Sequence, residues 1–306
     1  MQTGALLLPY GQAEIQPFAT YQRRETSGLG FDTIRTLLAG VTERGELVSV
    51  LNNDLIRTEV VTRVNEVDAG LFFRVGLPFE SQLEFSLPAH VVNQSILARD
   101  FTPSGLSTIQ ENNATGYALG DIRIGIAKTL LHEDGWLPDL VGRVTWDTDS
   151  GKLVDNDVFM GTGFNELIVS ATVLKRQDPL AFTARLFYQK TFGQYDIIPS
   201  DIYNFERGDK YGFSVDATLA ASPQTSLSMG LQQVFSSNDE INGISIAGTD
   251  TTSSVFTLGA ASTIGRRLFF SATAGIGLTE SAPDYFVNIA IPLRFDVPFK
   301  SLTMGN

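Results

Sequence analysis

The chain has no cysteine and only two histidines among its 306 residues. The lack of cysteine excludes a disulfide framework, a thiolate metal site and a cysteine nucleophile. It fits either the cytosol or an oxidising bacterial envelope, where proteins avoid thiols. Basic residues are also few: 22 lysines and arginines face 34 acidic residues, and the net charge is −12. No Lys/Arg-rich stretch provides the positive surface that nucleic-acid binding needs, so we expect no nucleic-acid partner.

Long hydrophobic runs are missing as well. No apolar segment approaches the roughly 20 residues of a transmembrane helix, and no signal peptide is recognisable, so we expect a mature or truncated form. Hydrophobic residues nevertheless make up 43% of the chain and charged residues only 18%. That composition excludes a disordered chain. A chain of this length does not require two domains, because all-β barrels of this size form one.

Apolar and polar residues alternate along most of the chain with a period of two. Between Val67 and Leu77 every odd position is apolar, whereas the even positions include Asp68 and Arg74. This period indicates strands with one apolar face. Twelve such segments follow one another, and we expect their apolar faces to meet lipid. Representative residues of this face are Leu71, Phe85, Ile124, Val169, Phe213 and Phe270.

The connections between these segments alternate between short and long, which is typical of outer-membrane barrels. The short connections are Pro78–Glu80, Lys175–Asp178, Ser222–Gln224 and Gly265-Arg266. The long ones, which we interpret as external loops, are Asn93–Gly116, Gly193–Asp209 and Ser237–Asp250. The segment Glu25–Thr58 is a first external loop, a lumen insert or an extra hairpin, and a hairpin would raise the strand number to fourteen.

The sequence therefore predicts an all-β fold, a twelve-stranded antiparallel transmembrane β-barrel over residues 12–299. Residues 1–11 form an N-terminal lead-in segment without an evident plug, and residues 300–306 form a C-terminal extension. A soluble β-sandwich is the alternative, but small and charged residues share the polar face here, as in a watery lumen. Aromatic residues at strand ends predict two interfacial girdles: Tyr21, Trp146, Tyr188, Tyr211, Phe235 and Tyr285 at one end, Phe299 at the other.

The polar faces supply the candidate site, a ladder of charges lining the lumen. Such charges remain hydrated, pair across neighbouring strands and shape the field that a solute meets. They also brace the wall, and the sequence does not separate the two roles. The predicted lumen-lining residues are Asp68, Arg74, Glu84, His90, Asp121, Arg123, Arg143, Asp147, Glu166, Arg185, Asp216, Arg294 and Asp296.

Neither histidine belongs to a recognisable catalytic pattern. His90 falls on the polar face, His132 lies in a turn, and neither has a serine in a nucleophile turn beside it. We expect no enzyme and no cofactor. The acidic segments Asp147–Asp149 and Asp155–Asp157 could crowd oxygens around Ca²⁺, but their spacing matches no EF-hand, and we assign no metal site.

The opening residues and the last strand carry a resemblance to a known family. Its motifs are Thr3-Gly4-Ala5-Leu6-Leu7-Leu8-Pro9-Tyr10-Gly11 with Glu14, Pro17 and Tyr21, and Ile291-Pro292-Leu293-Arg294-Phe295-Asp296. The chain resembles the meta-pathway phenol-degradation (transporter-like) outer-membrane barrels, and among them the FapF-type secretion channels of the Pseudomonas functional-amyloid system. The resemblance implies a twelve-stranded barrel, a homotrimer, and an upstream helical plug and coiled coil that meet the amyloid subunits. No such segment precedes the first strand of this sequence, so no gating residue is assigned.

Two transport functions follow as expectations for a bacterial outer-membrane location, with the lipid bilayer and lipopolysaccharide as surroundings. The first is export of unfolded amyloid subunits as cargo, which needs a hydrated passage of mixed charge. The second is passive uptake of small aromatic or apolar solutes, which needs apolar sites in the lumen. The polar lumen predicted here favours export. A third reading is a structural barrel whose lumen is filled by residues 25–58.

Overall fold

The computed structural model describes residues 7–29, 58–102, 105–161, 163–193, 195–196, 204–264 and 268–297. Twelve long strands form the wall, and two of them are interrupted. They are β1 (Gln12–Leu29), β2 (Thr58–Leu77), β3 (Ser81–Thr102), β4 (Gly105–Leu119 and Arg123–Leu131), β5 (Asp139–Asp147), β6 (Asn165–Gln177), β7 (Leu180–Phe192), β8 (Lys210–Ala220), β9 (Thr225–Ser236), β10 (Thr251–Ile264), β11 (Leu268–Gly277) and β12 (Tyr285–Ala290 and Leu293–Asp296). No helix in this part of the chain has the length and hydropathy needed to span a membrane.

The sheet closes on itself. Each strand pairs in antiparallel fashion with its neighbours in sequence, and β12 returns to pair with β1. The closing register places Phe18 opposite Ala290 and Ile15 opposite Leu293. Closure removes the free edges of an open sheet, and all main-chain polar groups of the wall can then pair within it. The predicted twelve-stranded antiparallel barrel is confirmed.

The outer face of the barrel is an apolar surface. Large hydrophobic side chains remain exposed on nearly every strand, including Ile124 (47%), Met229 (54%) and Leu258 (54%). A continuous apolar surface of this extent is the surface of a transmembrane barrel. Aromatic rings lie together near the long-loop end, with centroids 6.0 Å apart for Tyr21 and Tyr285 and 5.3 Å apart for Tyr211 and Phe235. The girdle predicted from Phe299 lies outside the described residues.

The prediction that Asn93–Gly116 is a loop without strands is wrong. β3 continues to Thr102 and β4 begins at Gly105, so most of this segment is a long hairpin. Polar pairs hold it, such as the Asn93 side chain, which donates to Thr115 Oγ1 at 2.8 Å. Outside the bilayer both faces of a hairpin can meet water, so strand pairing continues where the apolar alternation stops.

The loops at the same end are partly ordered into small sheets. Four short strands pair in the order Tyr195–Asp196, Asn204–Glu206, Glu240–Ile241 and Ile244–Ser245. The pairing of the second with the third joins the connection between β7 and β8 to that between β9 and β10. β1 extends to Leu29 and β2 begins at Thr58. The three readings for residues 25–58 concern mostly residues 30–57, which lie outside the described part, as does the turn Gly265-Arg266.

Two wall strands are interrupted inside the barrel. β12 breaks at Ile291-Pro292, because proline has no N–H to donate to the neighbouring strand. After the break the strand pairs only with β1, whereas β11 pairs with the first part alone. β4 breaks between Leu119 and Arg123, where Asp121 and Ile122 instead contact the loop after β5. The alternation from Tyr285 to Phe299 predicts one continuous strand, and the structure divides it at Pro292.

Candidate channel lumen

The short-turn end of the lumen is held by an ion cluster around Glu14. This side chain of β1 is almost completely buried (1% exposed). It contacts Arg74 of β2 and accepts a hydrogen bond from Arg294 Nε of β12 at 2.6 Å. The three residues stand directly opposite one another in the strand register. Glu14 therefore bridges the two strands on either side of β1, at the place where the barrel closes.

A second cluster lies beside it on β3. Arg143 Nε lies 2.9 Å from Glu84 Oε2, and Arg143 Nη2 lies 3.1 Å from Glu84 Oε1. Gln82, which is fully buried, donates to Glu84 at 2.7 Å and accepts a hydrogen bond from the Leu8 main-chain N–H at 2.7 Å. The cluster thus connects the charged wall to the N-terminal segment.

Charged residues also surround the break in β4. Arg123 Nε donates to Asp147 at 2.6 Å, and Glu166 stands opposite Asp147 on β6. Asp121 accepts a hydrogen bond from the Gly151 N–H at 2.8 Å. These contacts attach the loop after β5 to the interrupted strand.

His90 belongs to a fourth group of lumen charges. Its Nδ1 contacts Asp68 and lies 3.6 Å from Glu66, whose carboxylate also accepts a hydrogen bond from Gln22 at 2.6 Å. The ligand atoms of Glu66, Asp68 and His90 lie within 4.8 Å of one another, so this is the group in the described chain that could hold a divalent cation. Histidine with two carboxylates fits several transition metals without selecting one.

The two acidic segments considered for Ca²⁺ do not converge among the described residues. Asp147 binds Arg123, whereas Asp155 contacts Lys152 and accepts a hydrogen bond from the Tyr117 N–H at 2.8 Å. The hydrogen bonds from Lys152 and Tyr117 hold the pKa of the Asp155 carboxyl below its usual value. Both carboxylates therefore serve protein contacts in this structure.

Three predicted lumen residues stand apart from these clusters. The Arg185 guanidinium lies over the Phe187 ring, 5.6 Å from its centroid. Asp216 leans toward Gly230 on the next strand, where an added Cβ would overlap its carboxylate. Asp296, the last residue of β12, is exposed at the short-turn end.

Residues before β1 enter the short-turn mouth of the barrel. Leu7 is buried against Ala127 and Val141, which share the lumen face with Arg143. Pro9 lies so close to Gly76 that a Cβ there would overlap its carbonyl group. The sequence had indicated no plug, because a short apolar segment does not reveal which surface it will cover. The segment occupies part of the lumen cross-section.

The loop after β5 turns into the opposite mouth. Val158 and Met160 are buried against Val92 of β3, with Ala114 and Ala118 of β4 beside them. A Cβ at Gly116 would overlap the Met160 sulfur, so this glycine allows the close approach of the loop. The barrel is therefore narrowed at both ends.

Five phenylalanines share the lumen face with the charges, and the sequence reasoning did not include them. Their positions continue the polar alternation, which is the signal that could have identified them. Three rings lie over a glycine of the paired strand: Phe18 over Gly70, Phe187 over Gly212 and Phe286 over Gly275. The other two stack with arginines, Phe72 with Arg74 and Phe269 with Arg294. Glu14, Glu66 and Gln82 were also missing from the predicted set.

The lumen wall has two unlike regions. The charged wall, formed by β12 and β1–β7, carries the ion clusters described above. The small-residue wall, formed by β8–β11, presents mainly glycine, serine, threonine and alanine to the lumen. Its residues include Gly212, Ser214, Thr218, Ser226, Ser228, Gly230, Thr257, Gly259, Ala261, Ser271, Thr273 and Gly275. A cavity of about 450 Å³ lies at its short-turn end, with Phe269, Arg294 and Ala261 among the lining residues.

Several solved outer-membrane barrels are similar to this chain. No protein-family model matches the chain. The chain is similar to the COG4313 outer membrane channel from Pseudomonas putida F1, with a TM-score of 0.65 and 13% identity over 96% of this chain and 99% of that one. It also matches the transport unit of the autotransporter AIDA-I from Escherichia coli (TM-score 0.47, 8% identity, 97% and 93% covered). A third match is the toluene transporter TbuX from Ralstonia pickettii (TM-score 0.44, 9% identity, 97% and 92% covered).

Proposed function

We propose that this protein is a passive channel of the bacterial outer membrane for small solutes that have an aromatic or apolar part. The observation that carries the proposal is the presence of five phenylalanines on the lumen face, three of which, Phe187, Phe269 and Phe286, lie on or next to the small-residue wall. Aromatic side chains give an apolar solute successive contact surfaces, and small residues leave space next to them. The sequence predicts a polar lumen, which favoured polypeptide export, and the five phenylalanines add apolar surface to that lumen.

The narrowing at both ends of the barrel favours a small solute over a polypeptide as the transported molecule. The N-terminal segment lies against Ala127 and Val141 at one end, and Val158 and Met160 lie against Val92 at the other. An extended polypeptide would have to displace both segments, whereas a single-ring solute is far smaller. The apolar outer face and the closed barrel support the membrane location.

Export of amyloid subunits is the second candidate, and the charged wall favours it. Acidic and basic side chains alternate there, which suits a hydrated chain of mixed composition. This route requires the N-terminal segment to leave the lumen. The homotrimer and the contact with lipopolysaccharide remain predictions in either case.

Uptake and secretion assays in cells that lack the gene separate the two candidates. We expect such cells to lose uptake of a radiolabelled single-ring aromatic solute supplied at low concentration, while extracellular amyloid is unchanged. Restoring the intact gene should restore uptake. Loss of extracellular amyloid with normal aromatic uptake would overturn the proposal in favour of export.

A planar-bilayer measurement tests the role of the mouth. Replacing Leu7 and Leu8 by aspartate should release the segment from its apolar contacts and raise the single-channel conductance. The same replacement at Tyr10 is the control, because that side chain is 58% exposed. Equal conductance in all three proteins would show that the segment does not restrict the lumen.

A further inference from the structure

One lumen arginine lacks an ionic partner. Of the five arginines predicted to line the lumen, Arg74 and Arg294 contact Glu14, Arg143 contacts Glu84, and Arg123 contacts Asp147. Arg185 has no ion pair and no hydrogen bond within the part of the chain that the structure describes, and its buried Nε has no partner. A guanidinium withdrawn from water without an anion is costly. Its contact is instead the ring of Phe187.

The nearest acidic groups are committed elsewhere. Glu84 forms an ion pair with Arg143, through Nε and Nη2, and accepts a hydrogen bond from Gln82. Asp216 is two residues along β8 from Ser214, which stands opposite Arg185, and its carboxylate leans over Gly230 of β9. Arg143 is close enough to Arg185 to repel it electrostatically. Arg185 therefore interacts electrostatically with both Arg143 and Glu84, while the Glu84 carboxylate forms its ion pair with Arg143.

A buried hydroxyl lies on β6, the strand between those of the two arginines, where Thr172 stands opposite Arg185. Ser170 of β6 stands opposite Arg143 on one side and opposite Phe187 on the other. It is only 5% exposed, and its Oγ makes no hydrogen bond within the described residues. Buried polar groups almost always have a partner, so an unsatisfied donor beside an unpaired cation points to an absent anion. Arginine also provides the planar fork that matches a carboxylate.

The geometry points to a binding site for the carboxylate of a small aromatic or apolar acid, formed by Arg185, Arg143 and Ser170, with Phe187 against the apolar part. This inference rests on the proposed small-solute channel and names a substrate class for it. Arg185 supplies the charge, Ser170 supplies a hydroxyl donor, and Phe187 supplies an aromatic face. A neutral solute would gain only the last of these.

Calorimetric titration of the purified full chain in detergent with sodium benzoate tests the site directly. We expect benzoate to bind the wild-type protein, and Arg185→Gln to weaken binding about tenfold or more, as for the loss of a charged hydrogen-bonding group. Ser170→Ala should weaken it by a smaller factor. Arg123→Gln is the matched control, since it removes the same charge from a lumen arginine outside the site and should leave binding within about twofold.

Two results would overturn the site. One is the absence of benzoate binding to the wild-type protein. The other is equal weakening by Arg185→Gln and Arg123→Gln, which would reduce the effect to the general field of the lumen. Uptake of an uncharged ring compound such as toluene by cells carrying Arg185→Gln tests the channel proposal separately. For Arg185→Gln we expect weakened benzoate binding together with normal toluene uptake. Cells that lack the gene test the channel proposal alone: normal toluene uptake in them would contradict the channel and not the carboxylate site.

Discussion

The charged wall and the small-residue wall have the same strand geometry but are stabilised differently. In the charged wall, long side chains reach across neighbouring strands, as Glu14 does to Arg74 and Arg294. In the small-residue wall, the main-chain ladder holds the strands, and glycine, serine and threonine leave the lumen open. The difference shows that the ion clusters that stabilise the wall and the small residues that leave the lumen open occupy different strands of one barrel. The lumen phenylalanines lie on both regions, and Phe187 of the charged wall reaches over Gly212 of the other.

The largest expected effect is the loss of the buried carboxylate that neutralises two arginines. Replacing Glu14 by glutamine should lower the free energy of unfolding by about 3 to 5 kcal/mol, because it leaves Arg74 and Arg294 without their partner. Thr273→Ala in the small-residue wall should change it by about 0.5 kcal/mol or less. Urea unfolding in lipid vesicles measures both. Similar losses in the two variants would abolish the distinction between the walls.

A smaller effect is expected when a charge is placed on the outer face of the small-residue wall. Met229→Arg, at an exposed mid-strand position, should destabilise the protein by about 2 to 4 kcal/mol, since the guanidinium would enter the hydrocarbon. The adjacent lumen position offers the control, because Ser228→Arg places the same charge in water. Refolding yields into vesicles compare the two. Equal effects would contradict the assignment of the faces.

The boundary between the walls gives the third prediction. A methyl group at Gly212 would overlap the Gln233 carbonyl oxygen and touch the Phe187 ring, so Gly212→Ala should cost about 1 to 3 kcal/mol. Gly142→Ala is the control, because its nearest neighbour is the flexible Leu130 side chain at 3.1 Å. Thermal unfolding in micelles reports both changes. A harmless Gly212→Ala would show that the ring does not depend on the glycine.

The smallest expected effect is a change in ion selectivity, measured as a reversal potential. Neutralising Arg123, Arg143 and Arg185 together should shift the reversal potential toward cation preference, because the remaining carboxylates of the charged wall then dominate the field. Glutamines introduced at Thr218, Ser228 and Thr273 change no charge and should leave the reversal potential where it was. If the reversal potential of that control shifted equally, the ion selectivity would depend on the width of the lumen and not on its charges.

Much of the fold follows from the sequence, because one apolar face per strand is a local pattern. The alternation in Val67–Leu77 and its counterparts predicts the strand number and the lipid face, and the structure confirms the closed barrel. The long hairpin at Asn93–Thr115 was missed, since outside a bilayer neither face of a strand needs to be apolar. Pro292 was visible in the sequence, but its effect depends on which strand lies beside it.

The sequence by itself determined the composition of the two faces and the order of the strands. Only the tertiary structure decided which charges meet, because partners such as Glu14 and Arg294, or Glu84 and Arg143, are far apart in the chain and adjacent only through strand register. The same holds for the placement of Leu7 in the lumen and for the isolation of Arg185. Register, closure and the path of the loops are collective properties of the sheet. A period of two fixes the face on which each residue lies, but it does not fix which residues of two strands stand opposite one another.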